Sequence, residues 1–190
     1  MTRVIAGRFG GRTLATPKGD NTRPTTERVR EALFSRLEHL DAVAGARVLD
    51  LYAGSGALAF EALSRGATSA VLVEASRQVA QVAVRNAKVL GCAADTTVVT
   101  AKVEKYAGDG GAAAEFSLVI ADPPYDVGED NLAAVLDGIV SRLAGDAVVV
   151  VERSSRSPEP TWPEGLASFD DRTYGETKLW FAEPESADER

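Results

Sequence analysis

Apolar residues along this chain fall into two kinds of run, and their alternation predicts the architecture. Five short runs, at 47–52, 70–74, 96–100, 116–121 and 147–151, are rich in Val, Leu, Ile and, at 96–100, Thr and read as strands of a mostly parallel sheet, with 116–121 buried on both faces. Between them lie helical stripes. Val29, Leu33, Leu37 and Leu40, widened by Ala32, mark one helix, with Thr25 or Thr26 as its N-cap and Glu27 in its first turn. A second helix covers 57–65 and closes at Gly66. A third starts at Ser76, carries Val79, Val82, Ala83 and Leu90 on one side, and stops at Gly91. Leu132, Val135, Leu136, Ile139 and Leu143 stripe a fourth. The runs at 166–174 and 177–182 have no helix between them and read as an antiparallel hairpin at a sheet edge, turned at Gly175. At the start, 3–9 and 12–16 flank Gly10-Gly11 and predict a hairpin with a type I′ or II′ turn. The pattern as a whole predicts an α/β, doubly wound and mostly parallel sheet with an antiparallel edge and a small N-terminal hairpin and helix extension.

Charge changes this picture more than composition does. A content of 45% hydrophobic and 26% charged residues is that of an ordinary globular chain, and the net charge of −7 argues against a polyanionic partner. Residues 1–36, however, carry eight basic groups against three acidic ones, a net of +5, while the remainder carries 13 against 25, a net of −12. A basic arm on an acidic body predicts a phosphate-bearing partner such as a nucleic acid, with Arg8, Arg12, Arg23, Thr25, Arg28 and Arg30 as the candidate contacts. The expected organisation is a basic extension over 1–40, a catalytic domain over 41–183 and an acidic tail over 184–190. No apolar run approaches the ~18 residues of a membrane span, and the N-terminus lacks an apolar signal region, so a cytoplasmic protein is expected. The single cysteine, Cys92, excludes a disulfide within the chain and reads as a small structural residue. His39, the only histidine, falls in the last turn of its helix and suits the helix dipole better than proton chemistry. Trp162 and Trp180 read as packing groups, and no metal-ligand spacing occurs.

Two stretches carry candidate chemistry. The turn Gly54-x-Gly56-x-x-Ala59 after the first parallel strand, with Glu74 twenty residues beyond Gly54, fits a pocket for an adenosine ribose. NAD and S-adenosyl-L-methionine both present that ribose. Asp50, at the strand end, suits a cationic amino acid better than a pyrophosphate, and the turn has no basic residue to neutralise phosphates. The second stretch is Asp122-Pro123-Pro124-Tyr125, at the end of the run 116–121. Two prolines stiffen the loop and Pro123 keeps Asp122 out of the helical region, so a carboxylate, carbonyls and an aromatic ring are aimed together. Such a grip suits a planar base bearing an amino group.

The set Asp50-x-Tyr52-x-Gly54-x-Gly56, Glu74 and Asp122-Pro123-Pro124-Tyr125 resembles the amino-directed S-adenosylmethionine-dependent methyltransferases. Gly10-Gly11-Arg12, Arg23-Pro24-Thr25-Thr26-x-Arg28-Val29-Arg30-Glu31-Ala32-Leu33-Phe34 and Asp50-Leu51-Tyr52-Ala53-Gly54-Ser55-Gly56 narrow the likeness to the bacterial 16S ribosomal RNA guanine-N2 methyltransferases, the RsmD family. The resemblance implies a Rossmann-like class I methyltransferase fold and S-adenosyl-L-methionine as cofactor, bound by Asp50, Tyr52, Gly54, Gly56, Glu74, Ala75, Val103 and Asp122. It implies Asp122, Pro123 and Tyr125 as the catalytic set, and 16S rRNA within a small ribosomal subunit or its assembly intermediate as the substrate of a monomer. After the third parallel strand, where such enzymes often hold the adenine amine with an acid or amide, this chain has Lys102, which cannot accept; the Val103 N–H or Glu104 is expected to serve instead. An adenine-N6 methyltransferase acting on DNA or RNA, a non-catalytic RNA-binding module with an adenosyl pocket, and a nicotinamide dehydrogenase are the alternatives.

Overall fold

The computed structural model describes residues 2–17, 26–109 and 116–185. Seven strands form one sheet, β3 (Arg47–Leu51), β4 (Ser69–Glu74), β5 (Thr96–Thr100), β6 (Phe116–Ala121), β7 (Leu143–Ser154), β8 (Leu166–Tyr174) and β9 (Thr177–Pro184), in the order β5-β4-β3-β6-β7-β9-β8. Strands β3 to β7 are parallel; β9 runs antiparallel between β7 and the edge strand β8. The expected α/β sheet with its reversed hairpin at one edge is therefore present. Strand order changes direction between β3 and β6, which are direct neighbours although β4 and β5 lie between them in sequence. That crevice is where open α/β sheets place ligands.

Two apolar clusters cover the faces of the sheet. On one face, α1 (Glu27–His39), α2 (Ala57–Ser64) and α3 (Arg77–Leu90) pack with Val48, Leu118, Ile120 and Phe181. On the other, α4 (Val103–Gly108) and α5 (Glu129–Ile139) pack with Leu49, Leu51, Val119 and Val149. The central strands β3 and β6 and the middle of β7 are buried on both faces, which is why their sequence shows no polar alternation, whereas the edge strands β5 and β8 are largely open to solvent. Thr26 is the N-cap of α1, its hydroxyl accepting from the Val29 N–H at 3.2 Å. Ser76 and Gly91 cap α3 at its two ends, Gly91 in the left-handed region that a C-terminal stop requires. Cys92 is buried behind that stop, and Trp180 packs into the second cluster.

Three elements depart from the sequence pattern. Helix α4 has no counterpart among the expected elements; it is six residues long, too short for its two buried positions, Val103 and Ala107, to register as a stripe. Leu143, expected at the end of α5, begins β7, which is twelve residues long against an expected five. At the N-terminus, β1 (Thr2–Arg3) and β2 (Thr13–Leu14) pair for only two residues each. Between them Gly7–Phe9 form a 3₁₀ turn, and Phe9-Gly10-Gly11-Arg12 make a turn of type II geometry, with Gly10 at φ −51°, ψ 135° and Gly11 at φ 80°. The tight primed turn is absent because Ile5 and Ala6 donate their N–H groups to Glu61 of α2 instead of continuing the ladder.

The extension is part of the main core. Val29, Leu33, Phe34 and Leu37 of α1 are buried in the same cluster as Phe60 and Leu63 of α2, each contributing about 1.5–3 kcal/mol. Arg36 pairs with Asp170 of β8 at 3.0 Å and ties α1 across the antiparallel edge.

Candidate functional site

The crevice between β3 and β6 opens into a cavity of about 1300 Å³. Asp50 is aligned with Ile120 and Leu51 with Ala121, so the glycine turn leaving β3 and Asp122 leaving β6 emerge side by side. Tyr52, Gly54, Glu74, Ala75, Val103, Asp122, Pro123 and Tyr125 all line this cavity. Residues about 70 positions apart in sequence are brought together by the parallel register.

Glu74 holds the floor of the cavity in shape. One carboxylate oxygen accepts from the Gly54 N–H at 3.0 Å and the other from the Ser76 N–H at 2.7 Å, which ties the glycine turn to the exit of β4. Each oxygen keeps a second lone-pair direction for a ribose hydroxyl. Asn86 of α3 supports the same turn: its amide donates to the carbonyls of Ser55 and Ala15 and accepts from the Ala15 N–H, linking the segment after β2 to the glycine turn. Gly54, at φ 56°, has nothing within 4 Å of where a side chain would begin, so its backbone faces open cavity. Gly56 is different. A Cβ there would lie 2.4 Å from Phe60 and 2.7 Å from Leu72, so this glycine faces the core and lets α2 approach the sheet, and it does not line the cavity.

Asp50 also departs from expectation. It is 1% exposed and absent from the cavity wall; one oxygen accepts from the Ala59 N–H at 3.1 Å in the first turn of α2. A carboxyl oxygen at a helix start satisfies an orphan donor, and that is the task the strand end assigns it. Burial, opposed by the Ala59 hydrogen bond and reinforced by Asp122 and Glu74, pushes its pKa up to about 8. The unfolded chain releases this proton near pH 4 while the folded chain keeps it, so stability should fall as pH rises from about 4 to about 8, on the order of 1 kcal/mol per pH unit. Asp50→Asn is expected to flatten that slope in urea titrations at several pH values; an unchanged slope would assign it to other groups.

At the opposite wall Tyr52 has φ 62°, a strained left-handed conformation for a tyrosine, with its ring packed against the second cluster. Its hydroxyl is buried without a hydrogen-bond partner, and burial, reinforced by Glu104 and opposed by Arg153, pushes its pKa up to about 12. A hydroxyl placed at the cavity wall in this way is available to a polar atom of a ligand. Lys102 and Val103 form the amino end of α4 on the same wall, beside Glu104. Asp122, Pro123, Pro124 and Tyr125 close the mouth, with Pro123 buried and Tyr125 74% exposed. Sequence reasoning missed what holds this loop. Arg153, buried at the end of β7, donates to the Val127 carbonyl at 3.1 Å and pairs with Glu129, fastening the loop after Tyr125 to the sheet. Its only signal in the sequence is a charge directly following an apolar strand.

The cavity wall carries Glu74, Glu104, Asp122, Asp126 and Glu152 against Lys102, Arg30 and Arg153. An excess of carboxylates favours a cationic ligand and an amino-bearing base, and disfavours a pyrophosphate. Together with the open approach at Gly54, the two ribose-capable oxygens of Glu74 and the orphaned Tyr52 hydroxyl, this donor set fits S-adenosyl-L-methionine.

The basic candidates separate. Arg28 is exposed at the start of α1. Arg30 is corrected: expected outside the apolar stripe, it is 2% exposed, lies by Glu61 and donates to the Arg3 carbonyl. Its position on the helix, next to Leu33 and Phe34, runs its stem through the core, and its head is held by the buried acid. Arg12 donates to the carbonyls of Leu90 and Val89 at 3.0 and 2.6 Å, and Arg8 pairs with Asp95 at 3.3 Å. Both therefore sit at the carboxyl end of α3, by the amino ends of the strands and on the opposite side of the sheet from Asp122. Arg23 and Thr25 lie outside the described residues.

Fold and site define a Rossmann-like class I methyltransferase. TrmN from Thermus thermophilus shares the fold, with a TM-score of 0.65 at 23% identity over 83% of this chain and 48% of its own. The likeness is closer to the Escherichia coli protein yhhF, at a TM-score of 0.84 and 33% identity over 97% of this chain and 98% of its own. Among curated proteins, Ribosomal RNA small subunit methyltransferase D of Escherichia coli K12 is 35% identical over 92% of this chain and 85% of its own length. The same-named protein of Haemophilus influenzae is 30% identical over 91% and 89%. The family described as Conserved hypothetical protein 95 matches residues 2–183, and the chain belongs to this family, the RsmD family resembled by its motifs.

Proposed function

We propose that this chain is an rRNA methyltransferase that uses S-adenosyl-L-methionine to methylate the exocyclic N2 of a guanine in 16S rRNA, presented by the small ribosomal subunit or its assembly intermediate. The observation that carries this reading is the register of β3 against β6, which sets Asp122-Pro123-Pro124-Tyr125 beside the glycine turn in one acid-lined cavity. The names of the relatives supply the RNA, and the Asp-Pro-Pro-Tyr grip supplies the amine.

When bound, S-adenosyl-L-methionine supplies an electrophilic methyl group on a sulfonium. Gly54 and Glu74 would hold its adenosine, with Val103 and Ala75 lining the same cavity. The guanine N2 lone pair is delocalised into the ring and nucleophilically weak. The Asp122 carboxylate and the Pro123 carbonyl each accept one N2–H, which turns the amine toward tetrahedral geometry and frees its lone pair to face the methyl. Orientation of this kind, with a carboxylate beside the developing positive charge, supplies most of the rate. The proton leaves to Asp122 or to water. Tyr125 stacks on the base, which has left its helix to enter the cavity.

The decisive experiment supplies labelled S-adenosyl-L-methionine to hypomethylated small ribosomal subunits, naked rRNA and DNA in parallel, followed by nucleoside analysis. N2-methylguanosine from the ribosomal substrates is expected. N6-methyladenine would overturn the base assignment, and no transfer to RNA would overturn the reading altogether. Gly54→Val, which projects a side chain into the cavity, is expected to weaken cofactor binding by about tenfold or more in a calorimetric titration; unchanged affinity would place the cofactor elsewhere.

A further inference from the structure

Beside the main cavity lies a second groove of about 430 Å³. It is built where the start of α1, the Tyr125 loop and the turn joining β8 to β9 converge, and its walls include Thr26, Arg28, Tyr125, Glu152, Tyr174 and Glu176. Tyr125 and Glu152 line both spaces, so cavity and groove adjoin, with Tyr125 part of both walls. We infer that this groove binds the nucleotide adjoining the methyl-accepting base on the same RNA strand, with Tyr125 standing between the two bases and Tyr174 and Arg28 holding the neighbour. The inference rests on the reading of the chain as an rRNA methyltransferase.

The physical need comes from base extrusion. A base that leaves its stack also leaves its neighbour with a bare π face, and that loss must be offset if the extruded state is to be populated. Aromatic rings and a guanidinium are the groups that single-stranded nucleotides use, by stacking and by phosphate contact. The groove offers both. Tyr125 is 74% exposed, the most exposed large hydrophobic among the described residues, so its ring is open to a stacking base. Tyr174 is half-buried, its ring steadied against the first apolar cluster. Arg28 lies on the α1 side, while Glu152 and Glu176 lie toward β7 and the hairpin turn. A phosphate is therefore placed at Arg28, and the base points toward the hairpin, where carboxylates favour a base edge that carries N–H donors.

The arrangement also gives Arg28 a place at the site, unlike Arg8 and Arg12, which are engaged at the far end of α3. The hairpin β8–β9, which has no counterpart among the chemistry-bearing motifs of the sequence, becomes part of the substrate surface.

The test is steady-state methyl transfer to small subunits isolated from cells lacking the activity, for the wild type, Tyr174→Leu, Tyr174→Phe and Arg28→Gln, with cofactor affinity measured on each. Leucine keeps apolar bulk at the half-buried site, and Arg28 is on the surface, so both variants should fold. Tyr174→Leu is expected to raise the KM for subunits by about tenfold, kcat and cofactor affinity staying within about twofold. Tyr174→Phe should restore the wild-type KM, and Arg28→Gln should raise KM several-fold while lessening its salt dependence. An unchanged KM in Tyr174→Leu and Arg28→Gln, alongside a wild type that does methylate rRNA, would overturn the groove and leave the methyltransferase reading standing. A fall in kcat at constant KM would likewise overturn it, by assigning Tyr174 to the reacting base. A wild type that transfers nothing to RNA overturns both.

Discussion

Asp122→Ala is expected to lower methyl transfer to small-subunit RNA by about 10²–10³-fold or more while the cofactor binds within about twofold of the wild type. The residue leaves β6 at the cavity mouth, next to the glycine turn but not one of the groups that shape it: Glu74 and Asn86 do that. What disappears with the carboxylate is the acceptor that orients the amine and the negative charge beside it as its own charge grows. Asp122→Asn separates these two contributions, because an amide oxygen still accepts a hydrogen bond without carrying charge. Activity of Asn between those of Asp and Ala shows both at work. Full turnover by Asp122→Ala would remove Asp122 from the chemistry.

The largest expected loss of stability falls on a residue with no part in the reaction. Glu61 of α2 is fully buried and accepts from the Ile5 N–H at 2.7 Å, the Ala6 N–H at 3.0 Å and Arg65 Nε at 2.8 Å. Arg30 Nε lies 3.6 Å from it, and burial holds that guanidinium below its ordinary pKa, with Glu61 and Glu27 opposing. Arg65 further pairs with Glu31 and Glu38 of α1, so a single acid gathers β1's exit, α1 and α2. Glu61→Ala takes the buried acid away from the Arg30 guanidinium and leaves two backbone donors in the interior without their acceptor, while Arg65 keeps Glu31 and Glu38. Breaking one side of a buried pair costs about 3–5 kcal/mol, a large share of the total for a chain this size. Urea denaturation should show that loss, and the thermal midpoint should drop by about 10 °C or more. Glu61→Gln, which keeps an acceptor of the same shape, should lose less. A change below about 1 kcal/mol for the alanine variant would mean that water or a shift of α1 rescues the buried charges.

These two residues also divide what was legible in the sequence from what was not. Asp122 announces itself, because two prolines after an apolar run force a stiff exit whatever surrounds it. Glu61 sits in an otherwise apolar helix and looks like a solvated position, since nothing local says that Arg30 and the N-terminal backbone will converge on it. Arg30 misleads for the same reason: charge predicts a surface, and only a buried acid from another element reverses that. Asp50 and Gly56 were legible as a motif but not in their tasks. Spacing says that a turn is present; it does not say which face of each residue meets the ligand and which meets the core.

By itself the sequence determined the α/β alternation, the edge hairpin and the strand exit at Asp122-Pro123-Pro124-Tyr125, because periodicity, caps and prolines act over a few residues and need no partner. Tertiary structure decided the rest. It set β6 beside β3 and so put that exit next to the glycine turn, turned Asp50 and Gly56 inward, drew Arg30 into the core, sent Arg8 and Arg12 to the far end of α3, and brought Arg28 and Tyr174 to Tyr125. Each of those outcomes depends on a contact between residues far apart in the chain, and the energy of such a contact is written in neither partner alone.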